Sequence, residues 1–180
     1  MFELLLRCIE VASKLRPVKV AVLRDLGRAP VDGDFINLSR GQEADLPRWL
    51  SGALLRLNYV ELRQHALGID DVSKYLMSEK GLSKSSLTKL REDFYYQVRE
   101  LLSRSRSSLV SVDSAIGVIR LESNVRDLIR LRVNKIVSTA LLGAKIDKFE
   151  DSLTYEELLL FRLLNELINS WVNSLIKGDH

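Results

Sequence analysis

Cysteine is almost missing from this sequence: Cys8 is the only one among 180 residues, so no disulfide can form within the chain. A chain built this way suits a reducing, intracellular setting. Cys8 itself stands among Leu4, Leu5, Leu6 and Ile9 and is expected to be a small core residue rather than a nucleophile. Histidine is nearly as scarce, with His65 and His180 too far apart in sequence to form a zinc-binding spacing. The nine glycines never fall into G-x-x-x-x-G-K-S/T or G-x-G-x-x-G, which removes the usual phosphate-binding loops. No run approaches the roughly 20 apolar residues of a membrane span. The opening MFELLLRCIEVASKLR is broken by Glu3, Arg7 and Glu10, unlike a secretion signal.

What remains is ordinary for a soluble globular protein, 46% apolar and 28% charged with a net charge of +3. The charge is unevenly spread: residues 1–66 carry 10 basic and 8 acidic groups, 67–143 carry 13 and 9, and 144–180 carry 4 and 7. A mildly basic middle allows a weak contact with DNA but falls short of a strongly basic binding domain. No catalytic constellation is present. Glu156 and Glu157 are adjacent on a helix, so they point about 100° apart and do not converge as an acid and base. The inventory predicts no enzyme, no cofactor and no metal. Asp32-Gly33-Asp34 is expected to be a turn, because it lacks the further carboxylates of a calcium loop.

The periodicity divides the chain. Phe2, Leu5, Leu6, Ile9 and Ala12 predict a first helix that Pro17 ends. Val18–Leu23 reads as a strand, Gly27 and Pro30 as turn chemistry, and Phe35, Ile36 and Leu38 as a second strand. Asp45 is expected to cap a helix beginning near Pro47, with Trp49, Leu50, Ala53, Leu54 and Leu57 on its apolar face. Tyr59, Val60 and Leu62 predict a returning strand. From Gly68 the pattern is helical. A short helix capped by Asp70 or Asp71 stops at Gly81, and a longer one is predicted from Lys84 to Arg104 on Leu87, Leu90, Phe94, Val98 and Leu101. A serine-rich loop follows, SRSRSSLVSVDS; Asp113 then caps a segment ending at Gly117, and Ser123 or Asn124 restarts the helix.

The organising stretch is Asn124–Gly143 with the helix Thr154–Leu175. Val125, Leu128, Ile129, Ile136 and Ala140 share a face from whose middle Arg132 projects, with Lys135 at the edge. A buried guanidinium costs several kcal/mol unless carboxylates and other acceptors meet it. Glu156, Glu157 and Glu166 are the candidate partners. Thr154 and Glu157 form a capping box. Beyond it, Leu160, Phe161, Leu164, Leu167, Ile168, Trp171, Val172 and Leu175 make one stripe, and Leu159 and Leu163 a second, so this helix is expected to have two neighbours. Trp49 and Trp171 are each expected in the core or at an interface, the core being the first expectation for Trp49.

The fold class predicted is therefore mainly α: a small α/β, β-rich domain over 1–66 and a helical bundle over 67–180. Leu46-Pro47-Arg48-Trp49-Leu50 resembles the L-P-x-W-L helix start in the small domain of GINS subunits, the replication-fork tetramer of archaea and eukaryotes. VRDLIRLRVNKIVSTAL and SLTYEELLLFRLLNELINSW resemble the core of the GINS helical domain. With the small domain first, the order is similar to the second and third Psf subunits and their archaeal counterpart. The resemblance implies a non-enzymatic subunit that pairs with a companion of opposite domain order in a tetramer of two plus two or a variant of it. It further implies contact with the MCM helicase and a Cdc45 or RecJ-like protein, in the cytoplasm and associated with the nucleoid. Arg132, Lys135, Leu159, Leu163 and Trp171 are the expected interface residues, and Leu46, Pro47, Trp49 and Leu50 the small-domain motif. A second reading takes Asp70–Lys80, the Gly81 turn and the segment from Lys84 as a helix-turn-helix, with Lys84, Lys89 and Arg91 opening a DNA-recognition helix.

Overall fold

Val18, Val20 and Val22 alternate inward along the first strand, and the small unit is built around them. A computed structural model describes residues 2–31, 33–84, 86–143 and 150–177. Asp32 of the expected turn, and His180, lie outside the described residues. The chain separates into two compact units, Met1–Ala66 and Leu67–His180.

In the first unit the elements run α1 (Phe2–Leu15), β1 (Pro17–Val22), β2 (Gly27–Val31), β3 (Asp34–Leu38), β4 (Glu43–Pro47), α2 (Arg48–Arg56) and β5 (Val60–Leu62). β1 lies between β4 and β5, antiparallel to both, with Val20 opposite Ala44 on one side and Leu62 on the other. β2 and β3 form a separate antiparallel pair. Val20, Val22, Leu38, Leu46 and Val60 form the core, with Leu50 and Leu54 of α2 packed against it.

Four expectations fail here, the first two for identifiable reasons. Gly27 and Pro30 lie in strand β2 rather than in a turn. A two-stranded sheet has free edges, where a proline without an N–H is tolerated. Asp45 does not cap α2 but pairs with Lys19 across the sheet, because Glu43 and Asp45 face solvent while Ala44 and Leu46 turn inward. The backbone N–H of Arg48 at the start of α2 instead donates to the Arg16 carbonyl at 2.9 Å. Neither Cys8 nor Trp49 is a core residue: Cys8 is exposed, and Trp49 is 54% exposed on the outer side of α2.

The second unit comprises α3 (Ile69–Gly81), α4 (Phe94–Ser107), α5 (Val112–Leu141), a 3-10 turn (Glu150–Ser152) and α6 (Tyr155–Lys177). Val72 and Leu76 of α3, Phe94, Val98 and Leu101 of α4, and Leu121, Val125 and Leu128 of α5 make its main core. Ile136, Ala140 and Phe161 make a second cluster, flanked by Leu87, Leu160, Leu164 and Ile168.

The helix predicted from Lys84 begins only at Phe94. Tertiary contacts outweigh periodicity in the segment before it, as the next section describes. The two helices expected between Asp113 and Gly143 are one, 30 residues long. Ser111, not Asp113, caps it by accepting the Ser114 N–H at 3.2 Å. Gly117 is carried inside it, since a glycine costs only about 1 kcal/mol in a helix whose neighbours Val118 and Leu121 are buried.

Candidate functional site

The residue that sequence periodicity left stranded, Arg132, is fully enclosed. Its five N–H donors all have acceptors. Nε donates to Glu157 Oε1 at 2.6 Å, and Nη2 to Glu157 Oε2 at 2.7 Å and to the Ser152 carbonyl at 2.9 Å. Nη1 donates to Glu79 Oε2 at 2.9 Å and to the Thr88 carbonyl at 2.8 Å. A guanidinium with every donor satisfied, two of them on one carboxylate, is the arrangement in which a buried charge is tolerated.

Lys135, one turn along α5, uses its three donors in the same way: Glu79 Oε1 at 2.7 Å, the Glu79 carbonyl at 2.9 Å and the Ser86 carbonyl at 3.1 Å. The Thr88 N–H donates to Glu79 Oε2 at 3.0 Å. On the other side, the Tyr95 hydroxyl donates to Glu157 Oε1 at 2.6 Å, and the Thr154 N–H to Glu157 Oε2 at 3.0 Å. Two cations and two carboxylates thus join α3, α4, α5, the start of α6 and the chain around Ser86–Thr88. That chain cannot be helical there, because its carbonyls at Ser86 and Thr88 are turned to Lys135 and Arg132.

The electrostatics follow the geometry. Burial by itself would raise the Glu79 carboxyl, but the hydrogen bonds from Lys135 and the Thr88 N–H, together with the Arg132 charge, hold it below its ordinary value. Burial works against the charge of Arg132, and the Glu157 carboxylate more than restores it. Burial and then the negative Glu157 push the Tyr95 phenol far up, so it remains a donor.

Of the three carboxylates expected to meet Arg132, Glu157 does so; Glu156 and Glu166 do not appear among its hydrogen-bond partners. Glu157 serves at once as the capping-box residue and the ion-pair partner. Glu79 was not foreseen, although a signal for it exists. It extends the buried stripe of Val72 and Leu76 by one more helical step, where an acid marks a buried partner rather than a solvated face.

The other expected residues lie elsewhere. Lys135 belongs to the cluster; Leu159 and Leu163 are half-buried on α6, and Trp171 is 63% exposed. In the small unit Leu46 and Pro47 are buried and Leu50 half-buried, while Trp49 lies outside. The packed part of α6 stops at Ile168, and every residue from Asn169 to Ile176 is exposed. Among the described residues, Leu167, Trp171, Val172, Leu175 and Ile176 therefore form an exposed apolar surface along nearly three turns of helix.

The helix-turn-helix reading does not survive this geometry. Lys84, Lys89 and Arg91 precede α4 on non-helical chain, so they do not open a recognition helix. Among the described residues, no group of three or more His, Cys, Asp or Glu is placed to hold a metal ion, and no helix is long and apolar enough to cross a membrane.

No curated protein sequence matches the chain. Residues 58–176, more than half of it, match the Sld5 family model, described as the GINS complex protein helical bundle domain. The match takes in α3 to α6 and every residue of the ionic cluster. This chain belongs to the GINS family of DNA replication proteins.

Proposed function

We propose that this chain is a non-catalytic structural subunit of the GINS complex, which scaffolds the replicative helicase at the fork. It is of the archaeal type with the small domain first, the counterpart of the second and third Psf subunits. It works in the cytoplasm, associated with the nucleoid. The observation that carries the reading is the conjunction of the family's helical bundle with an apolar helix end that the described residues leave exposed. Water-exposed Leu167, Trp171, Leu175 and Ile176 are costly alone and become favourable when a partner covers them.

The partner is a companion GINS subunit of opposite domain order, in a tetramer of two plus two. Trp171 is its anchor, with Leu159 and Leu163 at the margin. Arg132 and Lys135 act behind that surface. They fix the register of α6 on the bundle, so that its free end projects at one angle. The units 1–66 and 67–180 serve as two domains, the small one carrying the Leu46, Pro47, Trp49 and Leu50 motif. The assembly engages the MCM helicase and a Cdc45 or RecJ-like protein, with at most a weak, salt-sensitive touch on DNA.

Co-purification tests this directly. The chain is expressed with a tagged companion subunit, as the parent and as Trp171→Asp with Leu175→Asp. The parent is expected to be retained through high-salt washing and the variant to be lost with its helical content unchanged. Equal retention of both excludes the α6 end as the subunit contact.

A further inference from the structure

Helix α5 turns Leu121, Val125, Leu128, Arg132 and Ile136 inward. On its opposite side, between Ile119 and Leu141, the residues left exposed are Arg120, Ser123, Arg126, Arg130, Asn134 and Ser138, in steps of 3, 3, 4, 4 and 4. At 100° per residue they keep to an arc of about 120° and run along about 27 Å of helix. Each is a cation or a neutral hydrogen-bonding group. This exposed row holds no acid and no apolar side chain.

A solvated helix face commonly sets acids and bases four residues apart, where they attract. Here the pair four apart is Arg126 and Arg130, which repel. Among the described residues none of the three arginines has a carboxylate partner. Two acids stand nearby. Asp127 falls within the same arc but is half-buried, one anion against three cations, and Glu122, half-buried toward α4, is bonded to Arg106 at 2.8 Å. Arg99 lies seven residues before Arg106, on the same flank of α4, and is likewise exposed and without a carboxylate among the described residues. The chemistry of the row selects its partner. Guanidinium, hydroxyl and carboxamide groups are the side chains that hold phosphate oxygens. A protein interface is anchored on aromatic and aliphatic side chains, and the row has none. Single-stranded nucleic acid is held largely by bases stacked on aromatic rings, which are absent as well. A duplex, with a negative charge about every 1.7 Å, needs only cations and donors set along a line.

We propose that the outer row of α5 is a docking surface for the phosphate backbone of duplex DNA, bound weakly and without regard to sequence. The inference rests on the reading of this chain as a replication protein and gives its salt-sensitive DNA contact a location. It involves neither the α6 end nor a companion subunit. Arg120, Arg126 and Arg130 neutralise phosphates, and Ser123 and Asn134 donate hydrogen bonds between them.

The test is a titration of a fluorescein-labelled duplex of about 30 base pairs with the full chain, read by anisotropy. Engagement of three phosphates is expected to lower the association constant about 40-fold between about 50 and 200 mM salt. Arg126→Gln with Arg130→Gln is expected to bind at least about tenfold more weakly at the lower salt and to retain only about a 3-fold salt effect. Arg126→Lys with Arg130→Lys keeps the charge and is expected to keep most of the binding. Lys84→Gln with Lys89→Gln makes the same change in net charge away from the row, and is expected to bind within about 3-fold of the parent. All four positions are exposed, and circular dichroism establishes that each variant keeps the helical signal. A single strand of equal length is expected to bind more weakly than the duplex, and poly-glutamate at equal charge to leave the duplex bound. The proposal is overturned by absence of binding at the lower salt, by an equal loss in the two glutamine variants, or by loss in the lysine variant. Tighter binding of the single strand, or displacement by poly-glutamate, overturns it too. Because the titration uses the chain without a companion, it can fail while the co-purification succeeds, and the reverse.

Discussion

Arg132 and Glu157 meet edge to edge, Nε on Oε1 at 2.6 Å and Nη2 on Oε2 at 2.7 Å, with neither side chain more than 5% exposed. The pair fastens the first turn of α6 to the middle of α5, and Glu79 fastens α3 to the other edge of the same guanidinium. Removing one member leaves the rest charged and buried. Arg132→Met is therefore expected to cost about 3–5 kcal/mol, visible as a lower urea midpoint in circular dichroism. The helical signal before the transition should remain near that of the parent, since the apolar clusters are intact. Arg132→Lys recovers little of the loss, as an ammonium cannot grip a carboxylate with two parallel donors.

The phenol of Tyr95 is a smaller version of the same test. Its hydroxyl donates to the Glu157 carboxylate at 2.6 Å, and a hydrogen bond to a charged group contributes roughly 1.5–3 kcal/mol. Tyr95→Phe keeps the ring against Phe94 and removes only that donor. Urea denaturation is expected to show a loss in this range, and a neutral result would mean that water replaces the hydroxyl.

Acid should weaken the protein in a defined direction. Glu79 is held below its ordinary carboxyl value in the folded chain, so the unfolded chain takes up its proton first. Its contribution is fully present above about pH 4.3 and is lost as the pH falls through the lower folded value. Urea midpoints measured from pH 7 down to pH 3 should fall at the acid end. In Glu79→Gln, less stable throughout, that part of the acid slope should disappear.

At the start of α5, Ser111 accepts the Ser114 N–H while Ser114 Oγ accepts the Ser111 N–H at 3.0 Å. Ser111→Ala is expected to cost about 1 kcal/mol. The same change at Asp113, which is exposed and was the expected cap, should cost less. A larger loss at Asp113 would contradict this assignment of the cap.

Most of the bundle was legible because its stripes are long. Val125, Leu128, Ile136 and Ala140 are buried as their periodicity requires, and the Thr154–Glu157 capping box forms. Arg132 was legible as a cation that needed a carboxylate, but only half of its partnership could be read. Glu79 lies 53 residues away in sequence, and nothing local says which distant helix will approach.

The misreadings share that origin. Leu87, Leu90 and Phe94 keep helical spacing, yet Arg132 and Lys135 claim the carbonyls around them. β4 is short and half-charged, so its alternation was hidden beneath Asp45 and Pro47. Exposed Cys8 and Trp49 look like core residues by type alone, and their surroundings in an assembly are not written in one chain.

The central claim, that this chain is an assembly subunit whose α6 end is covered by a companion, is tested most directly by mass in solution. Light scattering after gel filtration is applied to the chain alone and co-expressed with the companion GINS subunit of the same genome. The account predicts a stable complex near four chains that Trp171→Asp with Leu175→Asp prevents. A chain that keeps the same mass whether or not the companion is present would contradict it.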